Sequence, residues 1–418
     1  MEQWKEYKIS DIIEEIAMGP FGSNIKVDNF IDFGIPVLNG SNLQGFKLNE
    51  DSFNYVSEEK AESLGRANAF RGDVVITHRG TLGQIVYIPL DSKYERYVIS
   101  QSQFRLKLNQ DLIRPDFLVY FFHTRIGQHR ILMNASQVGV PALARPTSTF
   151  KEVSIPVPPM EIQNKIMSIL LSLNNKIEIN RRINDNLEQQ AQALFKSWFV
   201  DFEPFKDGKF VESEIGMIPE GWKVGKLEDI ADVVGGGTPS KANALYFDKQ
   251  CIPWITPKDL SIKKTKFISK GEIDITEEGY KNSSAKKIPL GSVLFSSRAP
   301  IGYISIAENE LTTNQGFKSV VPVKAGTSFL YLYLKANTKA IEAQATGSTF
   351  KEASGSLMKS LCVIIPPDTV FDSFERNAFP FFSAQANVER EIVNLSKARD
   401  TLLPRLMSGE LKINDSNC

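Results

Sequence analysis

Two long stretches of the chain carry apolar residues three and four positions apart, which is the spacing of a helix with one buried face. The first stretch covers about Met160 to Phe199, and the second runs from about Phe374 to Leu406. A helix of ~40 residues would be ~60 Å long, which is too long to pack inside a compact domain. We therefore predict that the two helices pair with each other along narrow, nearly heptad seams; the alternative is that each folds back on its own domain.

The predicted seam consists of apolar residues that share one face of each helix. Its members are Ile166, Ile169, Leu173, Ile177, Leu187, Leu194 and Trp198 in the first helix, and Val388, Ile392, Leu395, Leu402 and Leu406 in the second. The opposite face of the first helix is polar and includes Glu188. Pro380 lies inside the second pattern and is predicted to kink or break its first turns, because proline has no amide hydrogen to donate.

Short segments of β type precede each of these helices. Examples are "DVVITHRG" from position 73, "QIVYIPL" from position 84 and "VLFSSRAPIGYISIA" from position 293, all bounded by Gly, Pro or Asn. A proline pair, at 158–159 and again at 366–367, then opens each helical pattern, as proline is tolerated in a first helical turn. This order predicts an α+β protein in which a β-rich globular part is followed by a long helix, twice.

The two halves of the chain repeat one another. "WKEYKISDI" is echoed by "WKVGKLEDI", "GIPVLNGSNL" by "CIPWITPKDL", and "RGDVVITHRGTLGQI" by "LGSVLFSSRAPIGYI". The offsets of these three pairs are 218, 217 and 219 residues (222 − 4, 251 − 34 and 290 − 71). The pentapeptide "STFKE" also occurs twice, at positions 148–152 and 348–352. We infer an internal duplication with units of roughly residues 1–205 and 206–418, in which the two STFKE segments correspond.

Composition restricts the class of protein further. The chain of 418 residues is 42% hydrophobic, which is ample for folded cores, and its 49 Lys and Arg balance 49 Asp and Glu. A neutral total excludes a wholly basic surface but allows local basic faces, such as "KDLSIKKTKFISK" at 258–270. The three cysteines form no CxxC pair, so a zinc site is not expected. No signal segment or membrane span is evident, and we expect a cytoplasmic protein.

Several blocks, taken in their order, resemble a known family. They are "GPFGSNIK", "GDVVITHRGTLG" and "STFKEVSIPVPPMEIQNKI" in the first half, and "GGGTPSKANALYFDKQCIPWITPKDL", "SVLFSSRAPIGYISIA", "TTNQGF" and "GSTFKEASGSLMKSLCVIIPP" in the second. Over nearly its whole length the chain resembles the DNA-specificity subunit of type I restriction–modification systems. Each block alone is weak, and the ordered combination is specific.

The resemblance implies an architecture. It implies two target-recognition domains joined by two conserved helices that form an antiparallel coiled coil, with pseudo-twofold internal symmetry. The corresponding segments are residues 1–158 for the first recognition domain, 159–203 for the first spacer helix, 204–367 for a linker and the second recognition domain, and 368–418 for the second helix and the C-terminal tail. The second copy lacks the glutamine of "PPMEIQNKI", which predicts a distorted start of the second helix.

The resemblance also implies which partners the chain has and which role each of them performs. Each recognition domain is expected to read one half of a split sequence in double-stranded DNA. Two modification subunits, which carry S-adenosylmethionine and methylate adenine, and restriction subunits, which use ATP and magnesium, are the expected protein partners. The chain itself is expected to be non-catalytic and to bind no cofactor.

DNA recognition requires cations for phosphates and planar amide or guanidinium groups for base edges. The loops of the β-rich parts offer both. The candidate DNA-binding residues are Lys26, Asn39, Ser41, Asn42, Arg79, Gln101, Gln103 and Arg145 in the first half, and Lys241, Thr256, Lys258, Lys263, Lys264, Arg298, Asn314 and Gln315 in the second. Several of these residues also have a local structural explanation. Asparagines are common turn formers, and Arg79 or Arg298 could instead brace the end of a strand.

Other chemistry is not supported by the sequence. "VGGGTPS" at 234–240 lacks the ending of a phosphate-binding loop and is interpreted as a flexible strand end. The histidines, His78, His123 and His129, show no catalytic partner at a recognisable spacing and are expected to face solvent or DNA. The aromatic run "FKSWFVDF" at 195–202 is either core packing or a partner site. An enzyme acting alone and a coiled-coil scaffold without DNA contact remain the competing functions.

Overall fold

The computed structural model describes residues 4–133, 135–136, 139–298, 300–347 and 351–411. The chain divides into two compact units. Unit one comprises Met1–Lys176 and Leu395–Cys418, and unit two comprises Ile177–Asn394. Each unit therefore contains one β-rich part and segments of both long helices.

The secondary structure of the first β-rich part is built from short strands and helices that end at the first long helix. In chain order the elements are β1 (Lys5–Lys8), α1 (Ile9–Ile12), β2 (Ile13–Met18), β3 (Ile35–Val37), β4 (Asn54–Val56), α2 (Glu58–Ser63), β5 (Asn68–Phe70), β6 (Val74–Thr77), β7 (Ile85–Tyr87), β8 (Arg96–Val98), β9 (Gln103–Leu108), α3 (Pro115–Phe122), α4 (Arg125–Leu132), β10 (Ala135–Ser136), β11 (Ala142–Leu143), α5 (Pro146–Lys151), β12 (Ser154–Val157) and α6 (Met160–Phe199).

Two small sheets form the centre of unit one. Among the described residues, one sheet has the strand order β2-β9-β6-β7 and the other the order β4-β3-β8-β5. Strand β6 carries the run Val74–Thr77, every residue of which is buried, and it pairs antiparallel with β9 with Val74 opposite Leu106. Such a continuous apolar, β-branched run is typical of a strand covered on both faces. Helix α3 adds buried aromatic residues, including Phe117 and Tyr120, to the same core.

With a hairpin added at its start and a single helix in place of α3 and α4, the second β-rich part has a related order of elements. They are β13 (Phe210–Ser213), β14 (Gly216–Pro219), β15 (Lys223–Lys226), β16 (Ala231–Gly235), β17 (Phe247–Asp248), β18 (Ile252–Ile255), α7 (Pro257–Lys263), β19 (Phe267–Ile268), β20 (Asp274–Ile275), α8 (Glu277–Lys281), β21 (Val293–Ser297), β22 (Ile301–Ala307), β23 (Thr312–Thr313), β24 (Lys318–Pro322), α9 (Thr327–Gln344), α10 (Gly355–Lys359), β25 (Cys362–Ile365) and α11 (Asp368–Met407).

The topology of unit two repeats that of unit one. Its described strands form one sheet of order β16-β24-β21-β22-β19 and another of order β17-β20-β18-β23. In both units the strand near the start pairs with the strand just before the long helix: β1 pairs with β12, with Lys5 opposite Val157, and β15 pairs with β25, with Lys223 opposite Ile365. The predicted duplication is therefore confirmed by matching topology and matching register.

The two STFKE segments, however, do not occupy equivalent places. The first lies in helix α5 and the turn after it, immediately before β12. The helix in the equivalent place of unit two is α10, just before β25, and it contains "GSLMK". In the second segment, Ser348–Phe350 lie outside the described residues, and Glu352 pairs in an isolated bridge with Thr346. The sequence-based matching of these pentapeptides is wrong, because five shared residues do not override different flanking structure.

The long helices pair antiparallel within each unit. In unit two, Asn180 donates from Nδ2 to Glu391 Oε2 at 2.8 Å, and Gln385 Nε2 donates to the carbonyl oxygen of Asn184 at 3.3 Å. Rising numbers in α6 therefore meet falling numbers in α11. In unit one, Arg399 Nη1 donates to the side-chain oxygen of Asn174 at 2.9 Å. The predicted pairing is confirmed, and α11 continues through Pro380, so the predicted break there is wrong.

The seam of this pair is less apolar than its sequence pattern suggests. None of the twelve predicted seam residues is exposed, and Ile166, Ile177 and Leu406 are fully buried. In the described part of unit two, however, polar side chains also fill the seam: Asn180, Gln385 and Glu389 are buried. Buried polar groups must be hydrogen-bonded to avoid a large desolvation cost, so these residues fix which positions face one another.

A buried lysine ties the second β-rich part to both long helices of unit two. Lys266, which directly precedes β19, donates from Nζ to Glu188 Oε2 at 2.9 Å and to Gln385 Oε1 at 2.7 Å, and it lies 3.3 Å from the ring centroid of Phe382. Its backbone amide donates to Glu389 Oε1 at 2.9 Å. Glu188, assigned to the polar face from the sequence, therefore belongs to a buried network.

The electrostatics of this network favour a charged pair at neutral pH. Burial lowers the pKa of Lys266 to about 8, which still leaves the ammonium group mostly protonated near pH 7. Burial also disfavours ionisation of Glu188, but Lys266 and Lys335 outweigh that effect and lower the pKa of Glu188 to about 2. Lys335 Nζ binds Glu188 Oε1 at 2.6 Å, so both carboxylate oxygens are occupied.

The glutamine missing from the second repeat is replaced in function by another residue. In unit one, the buried Gln163 accepts from the backbone amide of Arg114, at the start of α3, at 3.0 Å. Phe371 stands at the equivalent position of unit two and is buried. One turn later, Glu375 accepts from the backbone amide of Phe329, in the first turn of α9, at 2.9 Å. Helix α11 begins directly after its proline pair, as α6 does, so the predicted distortion is wrong.

The aromatic run at the end of α6 packs into the core of unit two. Phe199 lies 4.8 Å from Phe329 and 4.9 Å from Phe374 between ring centroids, and Trp198 lies 5.8 Å from Phe205. Such edge-to-face pairs add to the stabilisation that burial provides. Of the two interpretations that the sequence leaves open, core packing is confirmed. The segment after it, where the predicted linker begins, contains the hairpin β13–β14.

Candidate nucleic-acid interface

Unit one has a cleft of about 850 Å³ at the ends of strands β2 and β6, which we call cleft one. The loop after β2 forms one wall, and the end of β6 and the turn before β9 form the other. Its polar lining includes Asn24, His78, Arg79, Gln101 and Lys151. Arg79 and Gln101 are exposed, and no described residue holds either side chain by a hydrogen bond or ion pair.

Unit two has a cleft of about 800 Å³ in the corresponding place, which we call cleft two. Its floor is more apolar and includes Trp254, whose indole Nε1 donates to the carbonyl oxygen of Gly237 at 3.0 Å. Its polar lining includes Lys241, Arg298 and Gln315. Gln315 is exposed, and its amide oxygen accepts a hydrogen bond from the hydroxyl of Thr238.

The backbone shows which residues of the two clefts are equivalent. The amide of Gly19 donates to the carbonyl oxygen of Gln103, and the amide of Gly236 donates to that of Phe317. The amides of His78 and Ser297, each just before an arginine, donate to the carbonyl oxygens of Ser102 and Gly316. It follows that Arg79 corresponds to Arg298 and Gln101 to Gln315. Each cleft therefore presents an arginine and a glutamine at equivalent places in the fold.

Glycines after β2 and β16 allow this geometry. A Cβ atom at Gly19 would lie 1.9 Å from the carbonyl oxygen of Ser100, and one at Gly236 would lie 2.0 Å from that of Asn314. A Cβ atom at Gly237 would lie 2.3 Å from the backbone nitrogen of Ala285. Gly236 and Gly237 are therefore tightly packed and not part of a flexible strand end, as the sequence suggested, and Thr238 and Lys241 after them line cleft two.

We expect alanine at Gly236 to destabilise unit two by about 1–3 kcal/mol, because an overpacked site must displace backbone. Gly235 is the matched control, since no atom lies within 4 Å of a Cβ placed there. Thermal unfolding of the two single variants tests the difference. Equal stability of Gly236→Ala and Gly235→Ala would show that the backbone around Gly236 shifts without cost and that its close packing does not stabilise unit two.

Comparison with known proteins identifies the family. A family model described as "Type I restriction modification DNA specificity domain" matches residues 1–189 and 219–370, which together make up most of the chain. The chain belongs to this family of type I DNA-specificity subunits. The predicted fold class and the predicted role in DNA recognition are confirmed, and a scaffold that makes no DNA contact is excluded as the function.

Individual relatives agree with this assignment. The HindI specificity subunit of Haemophilus influenzae is 26% identical over 476 residues, with 98% of this chain and 100% of the relative covered. The MjaIX specificity subunit of Methanocaldococcus jannaschii is 45% identical over 162 residues, 38% of this chain and 37% of the relative. The crystal structure of a type I S subunit from M. genitalium has the same fold, with a TM-score of 0.59 at 16% identity, covering 97% of this chain and 96% of that one.

Only some of the DNA-binding residues predicted for this specificity subunit line the two clefts. In unit one, Arg79 and Gln101 line cleft one, whereas Lys26, Asn39, Ser41 and Arg145 lie outside its lining. The side-chain oxygen of Asn39 accepts from the amide and hydroxyl of Ser41, which is the turn-forming role. Arg145 is exposed and adopts a left-handed backbone conformation with φ of 45° before α5.

Burial corrects the prediction at two positions of unit one. Asn42 is 1% exposed, and its amide bonds the backbone of Asn39, Asn49 and Ser52. Gln103 is fully buried, and its side-chain oxygen accepts from the amide of Ser100 at 2.9 Å. Both side chains hold loops beside the cleft and are not available to a base edge.

In unit two, six of the eight predicted residues line cleft two: Lys241, Thr256, Lys258, Arg298, Asn314 and Gln315. Some have structural partners as well. The hydroxyl of Thr256 bonds Asp259 Oδ2 at 2.6 Å at the start of α7, and Asn314 accepts from the amide of Gly316 at 2.9 Å. Lys263 and Lys264 lie outside this lining, and Lys263 Nζ donates to the backbone of the same unit.

Sequence reasoning missed several residues that line the clefts. Thr147 and Lys151 belong to cleft one, and Thr238, Phe247 and Trp254 belong to cleft two. Thr147 and Lys151 lie in helix α5, and the other three lie in the loop after β16 and in strands β17 and β18, close in sequence to predicted residues such as Lys241 and Thr256. Their only signal in the sequence is their position within the repeated blocks.

His123 alone among the three histidines differs from expectation, since His129 is exposed and His78 lines the candidate DNA-binding cleft. His78 lines cleft one, where burial lowers its pKa and the charge of Arg79 lowers it further, so the imidazole is neutral at pH 7. Its Nε2 bonds the carbonyl oxygen of Gln101 at 3.1 Å. His123 does not face solvent or DNA: it packs against Phe46 at 4.5 Å between ring centroids and bonds the carbonyl oxygen of Ile85.

The described residues contain neither a metal-binding cluster nor a membrane-spanning helix. Within those residues, no group of three or more His, Cys, Asp or Glu is arranged to hold a metal ion. The described helices also include none that combines the length and the apolar character needed to span a membrane.

Proposed function

We propose that this specificity subunit reads a bipartite DNA sequence, with one half-site in cleft one and the other in cleft two. The observation that carries this proposal is the equivalent placement of an arginine and a glutamine in both clefts. A repeated fold that presents the same pair of groups twice is suited to bind two segments of one duplex. The remaining lining differs between the clefts, so the two half-sites differ in sequence.

The chemistry of these groups supports contact with DNA. A glutamine amide can pair bidentately with the N6 and N7 edge of adenine in the major groove. An arginine can pair with guanine or bind a backbone phosphate. Lys151 in cleft one and Lys241 in cleft two are exposed and add positive charge beside these groups. A neutral chain thus places cations where the duplex would lie.

The family implies that the chain acts within a larger complex. We propose that it binds two modification subunits, which supply S-adenosylmethionine and methylate adenine, and restriction subunits, which use ATP and magnesium. In this proposal the chain is non-catalytic, binds none of these cofactors itself and works in the cytoplasm. Its contribution is to select the DNA sequence on which its partners act.

Methylation mapping tests the proposal. The chain is co-expressed with its modification subunit in a host that lacks other adenine methylation, and methylated positions are sequenced across the genome. The expected result is a consensus of two defined blocks separated by an unspecified gap. Methylation without such a two-part consensus, or a purified chain whose DNA affinity does not fall with salt, would overturn the proposal.

A further inference from the structure

The arginines of the two clefts have different surroundings. Arg298 of cleft two lies with Nη1 at 3.5 Å from Glu352 Oε2. The other oxygen of this carboxylate, Oε1, accepts from Lys318 Nζ at 3.1 Å, and the side chain of Lys318 is only 16% exposed. Glu352 therefore forms one ion pair with a mostly buried lysine and a second, longer one with Arg298.

Cleft one has no counterpart of the Glu352 carboxylate or of the Lys318 ammonium group. The amides of Leu143 and Ala353 donate to the carbonyl oxygens of His78 and Ser297, which are equivalent residues, so the residue equivalent to Glu352 is Ala142. The residue equivalent to Lys318 is Phe104, which is fully buried in the apolar core. Ala142 carries no charge, and Arg79 beside it is not held by any described side chain.

This difference matters because the two possible targets of an arginine have different geometric requirements. A phosphate accepts a cation from many directions, whereas the O6 and N7 atoms of guanine require the guanidinium group in one plane. Holding one edge of the group with a carboxylate reduces the freedom that the side chain must lose on binding. A flexible, unpaired arginine is sufficient for a phosphate.

We propose that Glu352 is a positioning residue that orients Arg298 to read guanine in the half-site bound by cleft two, and that Arg79 contacts a backbone phosphate. The proposal rests on the proposed function and assigns different tasks to equivalent residues. A carboxylate near DNA repels the phosphates, so its presence is unfavourable for affinity. Its orienting contact provides a reason for its place beside the arginine.

The experiment compares Glu352→Gln with Glu310→Gln in the full chain with its modification subunit. Glu310 is exposed, lies outside the lining of cleft two and pairs with Lys287 at 3.2 Å, so it controls for the loss of one negative charge in unit two. Binding is measured by competition between duplexes that carry the mapped consensus and duplexes with each base pair of it changed. We expect Glu352→Gln to lower discrimination at one G·C pair about tenfold and Glu310→Gln to leave discrimination unchanged.

The change in base preference distinguishes an orienting role of Glu352 from simple electrostatic repulsion. If Glu352 only repels phosphate, Glu352→Gln will raise affinity for all duplexes equally and keep their ratios, which would overturn the proposal. Arg298→Lys is the second variant, because it keeps the charge and loses the planar fork. It should lose the same G·C preference with an unchanged salt dependence, whereas Arg79→Lys should keep every base preference.

Failure of this inference can be told apart from failure of the proposed function. If the wild-type complex yields a two-part consensus but Glu352→Gln keeps all base preferences, only the role of Glu352 is wrong. If the wild-type complex yields no consensus, the proposed function itself fails. A loss of preference in Arg79→Lys equal to that in Arg298→Lys would also contradict the division of tasks between the two arginines.

Discussion

Replacing Gln315 by alanine should remove the preference for one base pair in one half of the recognised sequence and leave the other half unchanged. Replacing Gln101 should do the reverse. The two glutamines are equivalent, exposed and placed in separate clefts. A bidentate amide–adenine pair contributes about 1–3 kcal/mol of discrimination, so each variant should lose roughly tenfold to a hundredfold at its own position.

The double variant should show additive losses, because the two glutamines line separate clefts and should contribute independently. The measurement is the methylation consensus of the full complex, supported by competition binding with single-base variants of the site. Gln189→Ala is the matched control, since Gln189 is an exposed glutamine of helix α6 that lines neither cleft. Relaxation of both half-sites by either single variant would contradict the assignment of one half-site to each cleft.

Lys266→Met should destabilise unit two by about 3–5 kcal/mol, because it removes one partner of a buried ion pair and leaves the Glu188 carboxylate with weaker compensation. In the variant, Gln385 loses its ammonium donor and Glu188 retains only Lys335 as a cation. Lys258→Met is the control: it breaks an ion pair whose side chains are 68% and 65% exposed, and such pairs contribute about 1 kcal/mol or less.

Denaturant unfolding of the full chain, followed by tryptophan fluorescence, measures this difference. Trp198, Trp222 and Trp254 all lie in unit two, so the signal reports mainly on that unit. A double-mutant cycle with Glu188→Gln then isolates the coupling of the pair, which should exceed about 1 kcal/mol. If Lys266→Met costs no more than Lys258→Met, the buried network does not stabilise the attachment of β19 to the helices.

The regular parts of the fold could be predicted from sequence because local spacing determines them. The bounds of α6 follow from its apolar period and from the proline pair that precedes it. The polar seam could not be predicted in this way. Glu188 is of a residue type that usually faces solvent, and the buried ammonium group of Lys266, distant in sequence, makes its burial favourable.

At the candidate interface, too, some residues could be predicted from sequence and others could not. Arg79, Gln101, Arg298 and Gln315 could be named from residue type and from their places in the repeated blocks. Asn42 was misassigned because a turn-forming asparagine and a base-reading asparagine look alike in sequence. Glu352 was missed because its importance depends on Arg298 and Lys318, which lie on other strands. The shared STFKE letters even suggested the wrong counterpart for it.

The core of unit one draws on both ends of the polypeptide. Leu403, Leu406 and Met407, near the end of α11, pack in one apolar cluster with Ile166 and Leu170 of α6. During synthesis, domains usually fold in the order in which they leave the ribosome. The N-terminal part of unit one, however, keeps part of its apolar core surface exposed until the end of α11 has been translated. A nascent chain stalled before that helix would therefore expose a surface that chaperones bind.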